Sequence, residues 1–195
     1  DDSVLYAIDY RRASSDQMDV LRENVFNDRP AGGLELDSMS GTRSVPMMVI
    51  YDRGTQGLTG PVRANVLPRP GERPNFNNLL RNIGSAQQQE CSGGTYGYGK
   101  AALFRSSRIS SIVVHSTCIV DGARQSRLIG MALGKQFDRS GVLFTGRHWW
   151  GVKEDILLGA IADPLIGHQA DDLASALGMP EFGPEETGTS ILIVD

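Results

Sequence analysis

Residues 92–100 read S-G-G-T-Y-G-Y-G-K, and the next eight residues, A-A-L-F-R-S-S-R, have the composition of a helix. Four of the nine residues in this stretch are glycines. Because glycine has no side chain and tolerates positive φ, such a loop lets backbone N–H groups approach a ligand closely. Where such a loop opens a helix, unpaired N–H groups and the positive end of the helix dipole meet, which favours a bound phosphate. The stretch predicts a phosphate-binding loop, with a flexible surface loop as the alternative.

Hydrophobic patterning around this loop predicts a series of strands and helices. The dipeptide Asp121-Gly122 favours a hairpin turn, and Gly178 followed by Pro180 favours a helix end. The order predicts an α+β fold, a two-layer sandwich in which helices cover one face of a mixed, mostly antiparallel sheet. The predicted strands are 4–10, 45–51, 109–120, 126–133, 142–152 and 189–194, and the predicted helices are 16–26, with Ser14 or Ser15 as its cap, 75–82, 101–108 and 167–177.

The composition is that of a globular protein, with 40% hydrophobic and 22% charged residues. Nineteen Lys and Arg against 23 Asp and Glu give a net charge of -4, which argues against a dedicated nucleic-acid-binding domain. A local basic patch is compatible with this net charge. The two cysteines, Cys91 and Cys118, and the lack of a signal-peptide pattern predict a cytoplasmic protein. Since the sequence begins Asp1-Asp2, we expect residues 1–195 to be one domain of a longer protein.

Two common phosphate-binding motifs do not fit the glycine-rich stretch. Residues 94–100 match the start of the Walker pattern, but Ala101 replaces the hydroxyl residue that would hold Mg²⁺. A Rossmann loop would follow a strand, whereas a long polar tract, 59–92, precedes these glycines. Such a tract inside a compact domain is typical of a functional lid or a disordered insertion.

Three blocks of sequence, taken in order, resemble the GHKL ATPases. They are D-R-G-T-Q-G-L at 52–58, G-G-T-Y-G-Y-G-K at 93–100 and G-T-S-I-L-I at 188–193. This family includes DNA gyrase, the related heat-shock chaperones, histidine kinases, MutL and the MORC proteins. The resemblance spans residues 45–195, and it implies a Bergerat-type fold that binds ATP with Mg²⁺ beneath a lid formed by residues 59–92.

By this resemblance, Asp52 would accept a hydrogen bond from the adenine amino group, and Thr189 would lie near the base. Gly54 and Gly57 would let the chain turn tightly beneath the base, although residues 55–56 make their spacing one residue longer than in the family. The simpler alternatives are a turn-capping aspartate and an ordinary strand threonine.

The phosphates would be held by the lid motif G-x-x-G-x-G, which Gly94, Gly97 and Gly99 match. Lys100 would add a positive charge near a terminal phosphate, or would simply be a solvated lysine at a helix start. The nucleotide contacts implied for the same loop also include Thr95, Tyr96 and Tyr98, although tyrosines beside glycines often fill a core.

The family's N-box, E-x-x-x-N, carries the general base and a magnesium ligand. Glu23 and Asn27 have its spacing, but Pro30 keeps Arg29 out of helical geometry. We therefore interpret the match as a coincidence and expect the true N-box upstream of Asp1. No catalytic residue or metal ligand is assigned within the chain, so this piece would keep part of a nucleotide pocket without hydrolysing ATP.

The resemblance implies an ATP-binding domain whose lid closure switches an adjoining domain or the other subunit of a homodimer. DNA transactions or defence are the expected setting, with nucleic acid bound through other domains and no membrane contact. A histidine-kinase-like phosphotransfer domain and a non-catalytic interaction module with the same fold are the alternatives.

Two further features stand apart from the three blocks. His115 and Cys118 are an odd number of positions apart on a predicted strand, so they would face opposite sides and not share a metal. The sequence R-H-W-W at 147–150 indicates either a partner or ligand surface, or a set of buried aromatic side chains.

Overall fold

The computed structural model describes residues 3–30, 32–82, 98–156 and 159–195. Hydrophobic alternation gives the strands β1 (Leu5–Arg12), β2 (Pro46–Arg53), β3 (Ser111–Val120), β4 (Ala123–Leu133), β5 (Phe137–Arg139), β6 (Val142–Phe144), β7 (Arg147–Trp150), β8 (Val152–Ile156), β9 (Gly159–Asp163), β10 (Leu165–Ile166) and β11 (Gly188–Val194). The helices are α1 (Ser15–Val20), α2 (Asn75–Leu80), α3 (Tyr98–Arg105) and α4 (His168–Ala176). A π-helical turn, Leu21–Val25, continues α1, and a short 3-10 turn covers Leu36–Met39. None of the helices in the described ranges has the length and apolar character needed to cross a membrane.

The main sheet has seven strands in the order β1, β2, β11, β3, β4 and β10, with β7 also paired to β4. The pairs β5–β6 and β8–β9 form two separate hairpins. Every strand pair within the described ranges is antiparallel. The predicted α+β class with a mostly antiparallel sheet is confirmed, and the parallel component of a mixed sheet is not seen in this part of the chain.

Local signals in the sequence explain how several elements begin and end. Ser14 caps α1 through a capping box: its Oγ accepts from the Gln17 N–H at 3.2 Å, and the Gln17 Oε1 accepts from the Ser14 N–H at 3.0 Å. Asp121 and Gly122 take positive φ values of 51° and 78°, and so form the predicted turn between β3 and β4. Gly178, with φ of 69°, ends α4 as expected.

Alternate side chains of the sheet point into two different hydrophobic cores. On one face, which we call the α4 face, Met47 and Leu192 pack with Met18 of α1 and Ala174 of α4. The strand residues that alternate with these point to the opposite face. The molecule therefore has a core on each side of its sheet.

The opposite face, which we call the α2 face, is covered by α2 and α3. Phe76 of α2 and Phe104 of α3 pack there against Ile112 and Ile193. The prediction that helices cover only one face is therefore wrong. The physical reason is that the polar tract contributes a few large apolar residues, and with Leu58 these are enough to bury the second face.

The described part of the 59–92 tract is attached to the rest of the molecule by hydrogen bonds. The Phe76 N–H donates to the Thr59 carbonyl oxygen at 3.0 Å, and the Asn77 side-chain amide donates to the Arg63 carbonyl oxygen at 2.9 Å. Arg63 in turn donates through Nε to both oxygens of Asp163 on β9 at 3.0 Å. Residues 59–82 thus form a strap over the α2 face, and residues 83–92 lie outside the described ranges.

Candidate functional site

The turn after β2 requires glycine at two positions. Gly54 has φ of 79°, and its N–H donates to the Thr187 carbonyl oxygen at 2.9 Å. Gly57 has φ of 63°, and a Cβ there would lie 2.2 Å from the Thr117 carbonyl oxygen. The D-R-G-T-Q-G-L block therefore folds tightly against the ends of β3 and β11, as only glycine allows.

A row of polar side chains crosses the sheet next to this turn. The strand registers place Tyr6, Asp52, Thr189, Ser116 and Arg127 side by side on five consecutive strands. Asp52 is two residues beyond Ile50, which packs into the core of the α2 face, so the row lies on that face. The structure thus brings together the predicted residues Asp52 and Thr189.

The Asp52 carboxylate keeps hydrogen-bonding capacity for an external donor. The Thr55 hydroxyl donates to its Oδ1. Within the described ranges this is the only hydrogen bond to the carboxylate that we find, which leaves Oδ2 as an acceptor. The side chain is half-buried, whereas the neighbouring Tyr6 ring is 63% exposed.

Ser116 links the turn after β2 to β11. Its hydroxyl donates to the Gly188 carbonyl oxygen at 2.7 Å, accepts from the Leu58 N–H at 2.8 Å and lies 3.1 Å from the Thr189 Oγ1. Sequence reasoning missed Ser116 because a serine in the middle of an apolar strand gives no sign of which residue lies opposite. Only the register between β3 and β11 shows that it belongs to this site.

Arg127, at the end of the row, supports the turn from the other side. Its guanidinium is 5% exposed and donates to the carbonyl oxygens of Leu58 at 2.9 Å and Gly60 at 2.7 Å. A buried cation that is satisfied by backbone oxygens fixes the chain that leaves the turn. Arg127 was also missed, because the sequence around it carries no motif.

The glycine-rich loop is only partly within the described ranges. Gly94, Thr95, Tyr96 and Gly97 lie outside them, and Tyr98 and Gly99 form the first two residues of α3. Lys100 follows, and its Nζ donates to the Asn78 carbonyl oxygen of α2. Burial lowers the pKa of the Lys100 ammonium. The helix that leaves the loop therefore lies over the same face as the Asp52 row, and Lys100 contacts protein rather than being freely solvated.

Glu23 and Asn27, which have the spacing of the N-box, do not belong to the Asp52 row. Val25, between Glu23 and Asn27, packs into the core of the α4 face, whereas Asp52 lies on the α2 face. Asn27 instead lines a cavity of about 660 Å³ together with Trp149 and Trp150. The R-H-W-W segment and the end of the π-helical turn thus form a second concave region, separate from the Asp52 row.

His115 and Cys118 face opposite sides of β3, as predicted. The His115 Nε2 lies 3.0 Å from the Oδ1 of Asp171 on α4. The His115 ring packs edge-on against the Phe182 ring, with the two ring centroids 5.1 Å apart. Cys118 is fully buried, and burial raises the pKa of its thiol. Within the described ranges, no group of three His, Cys, Asp or Glu side chains is placed to hold a metal ion.

The Asp52 row offers a carboxylate oxygen as an acceptor for an external N–H donor. It combines a carboxylate acceptor, a buried hydroxyl pair and an exposed aromatic ring next to a rigid turn. Comparisons of the chain with protein-family models, with curated proteins and with solved structures found no match.

Proposed function

We propose that this chain is an ATP-binding domain of the GHKL type, with a Bergerat-like arrangement of its nucleotide site. The observation that carries the proposal is the register of β2 and β11, which places Asp52 directly opposite Thr189. These residues come from two of the three blocks that resemble the family, and they are 137 positions apart in the sequence. Their meeting on one face is what a shared adenine site requires.

In this proposal, Asp52 selects the base. Its Oδ2 accepts a hydrogen bond from the exocyclic amino group of adenine, which guanine replaces with a carbonyl oxygen. Oδ1 is held by Thr55, so the carboxylate is oriented before the ligand arrives. The Thr189 hydroxyl supplies a further polar contact to the edge of the base, and the buried Ser116 hydroxyl supports it from within the sheet at 3.1 Å.

The phosphates are assigned by sequence to the amides of Gly94, Gly97 and Gly99, of which Gly99 lies in the first turn of α3. Lys100 follows directly, and its contact with α2 shows that its ammonium is within reach of the strap over the α2 face. Within the described ranges, no group of three His, Cys, Asp or Glu side chains is placed to hold the Mg²⁺ that the family binds with ATP. Closure of the lid would then switch an adjoining domain or a second subunit, as in the family.

The test is isothermal titration calorimetry with a non-hydrolysable ATP analogue, for the wild type and for Asp52→Asn. We expect the variant to lose at least about tenfold in affinity, because hydrogen bonds to charged groups contribute about 1.5–3 kcal/mol. The GTP analogue should bind the wild type more weakly than the ATP analogue.

Asp9→Asn is the matched control, because Asp9 is a carboxylate on the neighbouring strand β1 that points to the α4 face. Equal affinity of the wild type and Asp52→Asn for the ATP analogue would refute the adenine assignment. No heat of binding in the wild type would favour the non-catalytic interaction module. In the full-length protein, release of labelled phosphate rather than its retention would distinguish an ATPase from a phosphotransfer domain.

A further inference from the structure

Two adjoining cavities lie along β7, where it pairs with β4. Their volumes are about 660 Å³ and 430 Å³, and Asp28, Arg147, His148 and Lys153 line both. We call the combined feature the β7 groove. It is bounded by the residues Asn24, Asn27, Asp28, Arg29, Phe137, Arg139, Phe144, Arg147, His148, Trp149, Trp150 and Lys153.

The β7 groove concentrates positive charge in an acidic protein. Its charged lining consists of the exposed cations Arg29, Arg139, Arg147 and Lys153 and the single carboxylate Asp28, whereas the whole chain has 19 basic and 23 acidic residues. Arg29 shares its charge with Asp37, which lies 2.8 Å away. Four cations along one groove form a local field that attracts a chain of negative charges.

The lining of the groove combines these cations with aromatic rings. Phe137 and Phe144 stack with an interplanar angle of 10°, and Phe144 is 42% exposed. Further along, the His148 ring packs against Trp150 with centroids 4.4 Å apart. Burial lowers the pKa of His148, so this ring is neutral at pH 7 and acts as an aromatic surface rather than as a cation.

The polar walls of the groove are held rigidly by backbone contacts. The Trp150 indole N–H donates to the Asp28 carbonyl oxygen at 2.7 Å, and the Trp149 indole N–H donates to the Leu80 carbonyl oxygen at 3.0 Å. Asn24 and Asn27 are exposed and add side-chain amides to the lining. A preformed groove with fixed rings and adaptable amides binds extended ligands at a low cost in ordering.

We propose that the β7 groove binds single-stranded nucleic acid, with phosphates at the exposed cations Arg139 and Lys153 and bases against the exposed Phe144 ring and the partly exposed Trp149 ring. Interleaved cations and aromatic rings are the combination by which proteins bind single strands without regard to sequence. A small anion would be held by convergent buried donors, whereas these cations are exposed and spread over two cavities. A duplex would keep its bases stacked internally and could not use the rings.

The two tryptophans of the chain make the test specific to this groove. Both Trp149 and Trp150 line it, and Trp149 is partly exposed whereas Trp150 is buried against Phe26, so a change in intrinsic tryptophan fluorescence, mainly that of Trp149, reports on occupancy here without any label. Titration with a twelve-nucleotide oligo(dT), an oligo(U) of the same length and a duplex of the same length should quench the fluorescence for the single strands only. Oligo(dT) and oligo(U) distinguish DNA from RNA as the preferred strand.

The double variant Arg139→Gln/Lys153→Gln should weaken binding of the single strands and lower the slope of log K against log salt by about 1.4, since each single-strand phosphate contact contributes about 0.7. The matched control, Arg43→Gln/Arg108→Gln, removes the same charge at exposed positions outside the groove. It should leave quenching and slope close to those of the wild type. Thermal melting checks that both double variants remain folded.

Three results would overturn the inference. One is the absence of quenching by single strands at low salt, and another is an equal loss of binding in the two double variants. The third is quenching by the ATP analogue to the same extent as by the single strands, if this quenching disappears in Arg139→Gln/Lys153→Gln. That result would make the groove a mononucleotide site. Failure of the Asp52 proposal leaves this inference intact, because Asp52 does not line the groove.

Discussion

His115 is a buried histidine with one ring nitrogen paired and the other unpaired. Its Nε2 contacts the Asp171 carboxylate, whereas its Nδ1 is buried without a partner among the described residues. This pattern assigns the neutral ring with the proton on Nε2, donating to Asp171. Burial lowers the pKa of His115, the contact with Asp171 opposes this without reversing it, and the charges of Arg53 and Arg124 add to the lowering.

Because the folded pKa of His115 lies below the unfolded value near 6.5, the unfolded state binds more protons between the two values. We therefore expect the free energy of unfolding to fall as the pH drops from about 7.5 to about 5.5. His115→Gln keeps a donor for Asp171 but does not titrate, so it should reduce this pH dependence without abolishing it, since burial also lowers the pKa of His148.

Urea unfolding at the two pH values, with His168→Gln as the control, tests this expectation. His168 is an exposed histidine at the first position of α4, the helix that carries Asp171. The control should keep the full pH dependence of the wild type. If His115→Gln also kept it, His115 would not be the group that takes up the proton on unfolding.

The ends of helices and turns could be predicted from the sequence where they depend on neighbouring residues. Ser14 and Gln17 define the start of α1, and Asp121-Gly122 defines the β3–β4 turn, because each depends only on residues that are close in the chain. The second core could not be predicted in this way. Whether Phe76 packs on the sheet or faces solvent depends on its contact with Leu58 and on the arrangement of the strands beneath it.

The residues of the candidate site also differ in whether the local sequence could identify them. Asp52 and Thr189 could be identified from their motifs, whereas Ser116 and Arg127 join them only through the register of β3 and β4. Register is set by the pairing of strands that are far apart in sequence, and a one-residue shift would move Ser116 to the other face. No pattern within a single strand contains that information.

The packing of the strap over the α2 face can be tested with two substitutions in the same tract. Phe76 is 1% exposed in the core of the α2 face, so Phe76→Ala should lower the free energy of unfolding by about 3–5 kcal/mol. Leu67 is 88% exposed, so Leu67→Ala should change it by less than about 0.5 kcal/mol. Denaturant unfolding of the two variants measures both values. Similar small effects would mean that residues 59–82 do not bury Phe76 against the sheet.

The whole molecule places its two proposed sites at opposite parts of one sheet. Asp52 lies on β2, and the β7 groove lies at β7, so β11, β3 and β4 separate them. Four strand spacings of about 4.8 Å give a separation of roughly 19 Å across the strands. The net charge of -4 does not reveal the basic groove, because it also includes the excess of acidic residues elsewhere in the chain.

This separation predicts that the two ligands bind independently. Adenosine, which carries no charge, would lie about 19 Å from β7 when bound at Asp52 and would not contact the β7 groove. The dissociation constant for oligo(dT) should therefore change by less than about twofold when adenosine is saturating, and Asp52→Asn should leave it unchanged. By thermodynamic reciprocity, oligo(dT) should then leave the affinity for adenosine unchanged. A larger shift that Asp52→Asn removes would show that the sheet or the strap at 59–82 has two arrangements, which the two ligands stabilise differently.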